Sequence, residues 1–179
     1  MNMWHEIAYG DDAPNIINTI IEIPRGTKNK YEIDKATGLI KLDRAMHTAQ
    51  DYPLDYGFVP QTLWDDGDAL DVAVLTTYPL ATGVMVEARV VGVMRMIDSG
   101  ECDDKVIAVP SDDPRWDAVT DISDVNPHTL KEMKHFFETY KSIDDKIVEV
   151  TGFDDVHAAR EAVQKGIRMY AEKYPKKTA

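Results

Sequence analysis

Residues 84–98, VMVEARVVGVMRMID, place apolar side chains at the even positions Val84, Val86, Ala88, Val90, Gly92, Met94 and Met96. A period of two over so long a run predicts a β-strand with one apolar side, because successive side chains of a strand point to opposite faces. Gly92 inside the run marks a bulge. Such a strand needs partners, and the flanking sequence offers several. NTIIEIPRG (18–26) puts Ile21 and Ile23 on one side and Ile20 and Glu22 on the other, and Pro24-Arg25-Gly26 closes it. KYEIDKATGLIKLDR (30–44) reads as a hairpin around KATG, with Lys30, Glu32 and Asp34 on one face and Tyr31 and Ile33 on the other. DVAVLTT (71–77), KVIAVP (105–110) and KIVEVTGF (146–153) supply three more strands.

Helical spacing comes only near the end. NPHTLKEMKHFFETYK (126–141) offers Asn126 as N-cap, Pro127 at the first helical position, and Leu130, Met133, Phe137 and Tyr140 on one face. A second helix is predicted from near Asp154, with Val156, Ala159, Val163, Ile167 and Tyr170 recurring at helical intervals and Pro175 just beyond it. Short strands followed by two helices predict a mainly β fold with flanking α, a small closed or nearly closed β-barrel with two principal helices packed outside it. Without a repeat, low-complexity tract or linker, residues 1–179 are expected to form a single domain.

Composition narrows the function. The 32 acidic against 20 basic residues give a net charge of -12, which argues against nucleic-acid binding, since that needs a basic stripe to displace counterions. No apolar run reaches membrane-spanning length, and MNMWHEIAYGDD lacks the features of a signal peptide, so a cytoplasmic protein with no membrane partner is expected. Cys102 is the lone cysteine, and the histidines show no metal-ligand spacing.

The acids are not spread evenly. DDGDALDVAVL (65–75) crowds Asp65, Asp66, Asp68 and Asp71 at the mouth of an apolar strand. In extended chain Asp66 and Asp71 would stand roughly 16 Å apart, too far to share an ion, so the chain must turn, and Gly67 permits it. An EF-hand fails because Leu70 falls at a ligand position and Asp71 at the loop's glycine, and no GxxxxGK[ST], GxGxxG or HExxH occurs. Taken alone, the cluster is equally a solvated turn. MIDSGECDDKVIAVP (96–110) adds Asp98, Glu101, Asp103 and Asp104 between two strands, followed by Lys105, and in a barrel both groups can line one rim. Lys30, Arg44, Lys105 and Lys141 are candidate cations for that rim.

IEIPRG (21–26), KYEIDKATG (30–38), the Asp43-Arg44 pair with YPLDYGFVPQT (52–62), DDGDALDVAVL, MIDSGECDDK (96–105) and HFFETYK (135–141) occur in an order and spacing that resemble the successive signatures of family I soluble inorganic pyrophosphatases of prokaryotic type. The resemblance implies a five-stranded OB-like barrel and Mg2+-dependent hydrolysis of inorganic diphosphate to two orthophosphates by direct attack of a metal-activated water. Several ions per site are implied, other divalent ions being admissible, and a homohexamer by family analogy. It further implies metal binding by Asp66, Asp71, Asp98 and Asp103, with Asp68 orienting or deprotonating the water. Lys30, Arg44, Tyr56, Lys105, Tyr140 and Lys141 fall at phosphate-binding positions, and Glu22 and Glu32 at supporting acids. Three residues depart from the family pattern: Ala69 where the family usually has proline, Ser99 in place of a glutamate found in some members, and Asp55 in place of the asparagine of some members. The competing expectations are a non-enzymatic OB-type module binding oligonucleotide or protein, and a divalent-ion-binding domain without turnover.

Overall fold

The structure, a computed structural model, describes residues 2–175. Its strands are β1 (Ile16–Ile23), β2 (Asn29–Ile33), β3 (Ile40–Ala45), β4 (Asp55–Phe58), β5 (Asp71–Val74), β6 (Met85–Asp98), β7 (Glu101–Cys102), β8 (Lys105–Pro110) and β9 (Val148–Asp154). Five of them close a ring in the order β1, β4, β5, β8, β6 and back to β1. All neighbours are antiparallel except β5 and β8, which run parallel. The expected OB-like barrel is therefore present. The hairpin β2–β3 stands beside it as a separate two-stranded sheet.

β6 is long because it serves two partners along one edge. Residues Met85 to Arg89 pair with β1, and Val93 to Asp98 pair with β9, while the opposite edge carries β8. The register against β8 slips between Val90 and Gly92, so Gly92 does sit at a bulge. That bulge corrects the simple alternation. Ala88 and Val90 belong to one apolar cluster, whereas Met94 and Met96 belong to another with Val91. One extra residue exchanges the two faces of a strand, so the even positions do not share one side, and Val84 lies exposed before the strand begins.

Each face of the ring is covered by a different helix. The cluster containing Ile17, Val72, Ala88 and Val106 packs against Ala159, Ala162 and Val163 of α2 (Val156–Lys173). The opposite faces of the same strands, with Ala73, Met94, Met96 and Ile107, pack against Met133, Phe136 and Phe137 of α1 (Pro127–Thr139). Asn126 caps α1 by accepting the His128 N–H at 2.9 Å, with Pro127 at the first turn as predicted. Asp155 caps α2 by accepting the Ala158 N–H at 3.0 Å. A third cluster of Trp4, Ile20, Phe58, Leu63 and Ala69 ties the N-terminal segment to the barrel. Among the described residues no helix is long and apolar enough to cross a membrane.

β4, in the segment YPLDYGFVPQT, has no alternating apolar signal. Its Gly57 is required by close approach: a Cβ there would lie 1.9 Å from the Ile20 carbonyl oxygen of β1.

Candidate active site

Strand register assembles the centre of the site. Tyr56 on β4 pairs opposite Ala73, Phe58 opposite Asp71, and Asp71 on β5 opposite Lys105 on β8, so Tyr56, Asp71 and Lys105 come together on one face. The Tyr56 hydroxyl donates to Asp71 Oδ2 at 2.5 Å and the Lys105 ammonium to the same oxygen at 2.6 Å. Asp103, two residues before Lys105 and hence on the same side, accepts from that ammonium as well. Lys105 is 1% exposed, a buried cation held between two carboxylates. Desolvation works to lower its pKa, but Asp71 and Asp103 overcome that and raise it, so it stays charged.

Two tight turns bring in the remaining acids. Gly67 has φ +85°, the left-handed conformation the turn needs, and Asp66 Oδ1 accepts the Asp68 N–H at 2.9 Å. The turn is closed by the Trp64 N–H donating to the Asp68 carbonyl at 2.7 Å. On the other side, β6 reverses into β7 through Ser99 (φ 53°) and Gly100 (φ 91°), the two positive φ values of a type I′ hairpin, and this holds Asp98 at the base of the turn. Lys141, just past α1, donates to Asp98.

These elements line one cavity of about 330 Å³. Around it stand Asp66, Asp68, Asp71, Asp98 and Asp103 with Glu22 and Glu32, opposed by Lys30, Lys105 and Lys141 and the hydroxyls of Tyr56 and Tyr140. All five sequence-selected aspartates thus share one cavity. Among the described residues, however, no three carboxylates meet closely enough to form a ready ligand cluster. Lysines stand between them: Lys105 between Asp71 and Asp103, Lys141 on Asp98 and Lys30 on Glu32.

The crowding is felt electrostatically. Desolvation pushes the buried Glu22 carboxyl well above the ordinary glutamate range, with Asp71 adding to it, although its Oε1 accepts the Ile33 N–H at 2.7 Å. Asp103 is raised by desolvation and by Asp71, with Lys105 pulling the other way. Asp66 is exposed as a residue, yet desolvation where it lines the cavity raises its pKa to about 6, with Asp71 and Asp103 contributing. Asp98 escapes this: burial would raise it, but Lys141 and Ser99 hold it below the usual range. Burial raises Tyr56 and Tyr140, which keeps both phenols protonated as donors.

A family model described as inorganic pyrophosphatase matches residues 19–171. The chain belongs to the inorganic pyrophosphatase family. It is 49% identical over 171 residues to soluble inorganic pyrophosphatase 2 of Chlamydomonas reinhardtii, covering 96% of this chain and 89% of that protein. A soluble inorganic pyrophosphatase of Zea mays is 48% identical over 169 residues, covering 94% and 79% respectively. The crystal structure of the Thermus thermophilus inorganic pyrophosphatase superposes with a TM-score of 0.92 at 49% identity, covering 95% of this chain and 99% of that one.

Arg44 is the sequence-selected residue that does not line the cavity. It sits across the hairpin from Lys30, turns to Asp43 at 2.5 Å, and lies near enough to Tyr140 for its charge to act there. Asp104, counted in the second acidic group, is buried against Arg95 (2.7 Å) and accepts the Met96 N–H, a structural role away from the cavity. The structure also places two of the three departures. Asp55 is fully buried, accepting the N–H groups of Arg25 (2.8 Å) and Leu80 (3.2 Å) and the Thr76 hydroxyl, so it ties β4 to the loop after β1 and the loop after β5. Ala69 is buried in the cluster with Trp4 and Phe58, and the turn before it is closed by hydrogen bonds from Gly67 N–H to the Trp64 carbonyl (3.0 Å) and from Trp64 N–H to the Asp68 carbonyl (2.7 Å). Sequence reasoning missed Trp4 and Lys35 as lining residues. Lys35 opens the KATG turn, and nothing in a hairpin turn signals which way its side chain reaches.

Proposed function

We propose that the protein hydrolyses inorganic diphosphate to two orthophosphates by direct attack of water, with Asp68 as general base. The observation that carries the proposal is the gathering of five aspartates from separate segments around one cavity that also holds Lys30, Lys35, Lys105 and Lys141 and the hydroxyls of Tyr56 and Tyr140. Hard oxygen donors alone line the acidic side, a set that suits Mg2+ or another hard divalent ion rather than zinc or copper. In this reading Asp66, Asp71, Asp98 and Asp103 hold the ions, and Glu22 and Glu32 support them. Bound there, several divalent ions would neutralise the highly anionic substrate and lower the pKa of the attacking water.

The chain's own groups do the rest. With ions held by those carboxylates, Lys30, Lys105 and Lys141 would be free to contact phosphate oxygens, and Tyr56 and Tyr140 would donate hydrogen bonds to the same oxygens. Arg44, one strand away from Lys30, is suited to a bidentate phosphate contact. Asp68 takes the proton of the attacking water as its oxygen bonds to phosphorus and the bridging P–O bond breaks, so each half leaves as orthophosphate.

Phosphate release from diphosphate, measured with Mg2+ and then with a chelator, tests the reading, and Asp68→Asn tests the base. The variant is expected to keep its fold and lose at least about 100-fold in kcat. Near-normal turnover would refute the role of Asp68, and absence of turnover in the native protein would favour a binding module. The proposal extends to one domain over residues 1–179, a cytoplasmic location and a homohexamer, the last checked by sedimentation.

A further inference from the structure

We propose that Lys35 is a positioning residue for the general base, holding the Asp68 carboxylate in one orientation across the cavity. The inference rests on the reading above. Backbone hydrogen bonds fix the Asp68 main chain, since its N–H donates to Asp66 and its carbonyl accepts from Trp64. Its side chain is not fixed in that way. Among the described residues, the one partner of the Asp68 carboxylate is the Lys35 ammonium, which pairs with Oδ1. Oδ2 is left for the water.

Lys35 is itself bracketed. Its ammonium lies 5.9 Å from the centre of the Trp4 ring, within cation–π range. That ring is anchored by its indole N–H donating to the Thr62 carbonyl at 2.8 Å, and the Trp4 carbonyl accepts from Gln61 at 2.8 Å. The N-terminal segment thereby forms a wall of the cavity and a seat for Lys35.

A difference in pairing separates Lys35 from the other cavity lysines. Lys105, Lys141 and Lys30 are paired with carboxylates assigned to the metals or their support, so cation binding competes with each of those contacts. Asp68 is the cavity aspartate not assigned to an ion. Its pair with Lys35 can persist through metal binding and keep an exposed carboxylate aimed.

A surface ion pair of this kind, with Lys35 57% and Asp68 54% exposed, contributes little to stability. A kinetic effect without a stability effect is therefore the signature of positioning. Lys35→Ala is expected to lower kcat about tenfold, the scale of a misaimed catalytic group, with KM and the Mg2+ requirement unchanged and the melting temperature within about 2 °C. Lys35→Arg should restore most of the loss. In an Asp68→Asn background Lys35→Ala should cost nothing further, because the residue acts through Asp68. Unchanged kcat, a loss confined to KM, or equal losses with and without the Asp68 carboxylate would overturn the role of Lys35 while leaving the hydrolase reading intact. No turnover in the native protein would overturn both.

Discussion

Replacing Lys105 by methionine removes the cation held between Asp71 and Asp103 while keeping most of the side-chain volume. Two carboxylates then face each other beside Glu22 with nothing positive between them. Breaking a buried ion pair by removing one partner costs about 3–5 kcal/mol. Asp71 and Asp103 keep side-chain exposures of 23% and 17%, so water screens them in part and the lower end, about 3 kcal/mol, applies. For a chain of 179 residues that corresponds to a fall in Tm of about 6–12 °C. A divalent cation can occupy the same gap, so Mg2+ should return much of the lost stability. It should not return turnover, because the phosphate contact of Lys105 is gone. Scanning calorimetry of Lys105→Met and native protein, each with chelator and with Mg2+, measures both terms. A fall under about 2 °C in chelator, or a fall that Mg2+ leaves untouched, would refute the account of Lys105 as a buried counter-ion at the ion-binding position.

Three further outcomes are expected. Gly57→Ala should prevent closure of β1 on β4, because its Cβ would stand 1.9 Å from the Ile20 carbonyl, whereas Gly152→Ala, with open space around its Cβ, should fold normally; soluble yield and circular dichroism compare them. Asp71→Asn should raise the Mg2+ concentration needed for half-maximal turnover, and an unchanged metal titration would remove Asp71 from the ligand set. The third concerns Asp121, whose carboxylate accepts N–H groups of Ser123 (3.1 Å) and Val156 (3.0 Å), bonds that hold its pKa below the ordinary value. A depressed acid stabilises the fold above its unfolded pKa and loses that contribution as pH falls through the folded one. The stability gap between native protein and Asp121→Ala should accordingly be full at neutral pH and shrink in acid, as urea melts across pH would show.

Several elements were legible because their signals are local. The hairpin β2–β3, β5, β8, β9 and both helices lie where alternation, helical spacing, Asn126 and the prolines put them, whereas the Asp155 cap of α2 appeared only in the structure. Gly67 and Gly92 announced a turn and a bulge, and both are there. β4 was hidden, four residues long with Gly57 inside it and prolines on either side, so neither length nor propensity marked it. Within the site, the order of the acidic motifs pointed to the aspartates that share the cavity. The seat of Lys35 between Asp68 and Trp4 was invisible, since it joins a hairpin turn to a segment about thirty residues away.

Sequence by itself determined the periods, the caps and the turn residues, because each depends on side chains a few positions apart. It also carried the ordered motifs that mark the family. Tertiary structure alone decided the partnerships: which face β6 shows on either side of its bulge, which lysine neutralises which acid, and that Asp55 is a buried tie between loops rather than part of the site. The physical reason is that charge pairing and desolvation act through space. Asp71 and Lys105 are 34 positions apart in the chain and become a 2.6 Å ion pair only when β5 and β8 lie side by side in register.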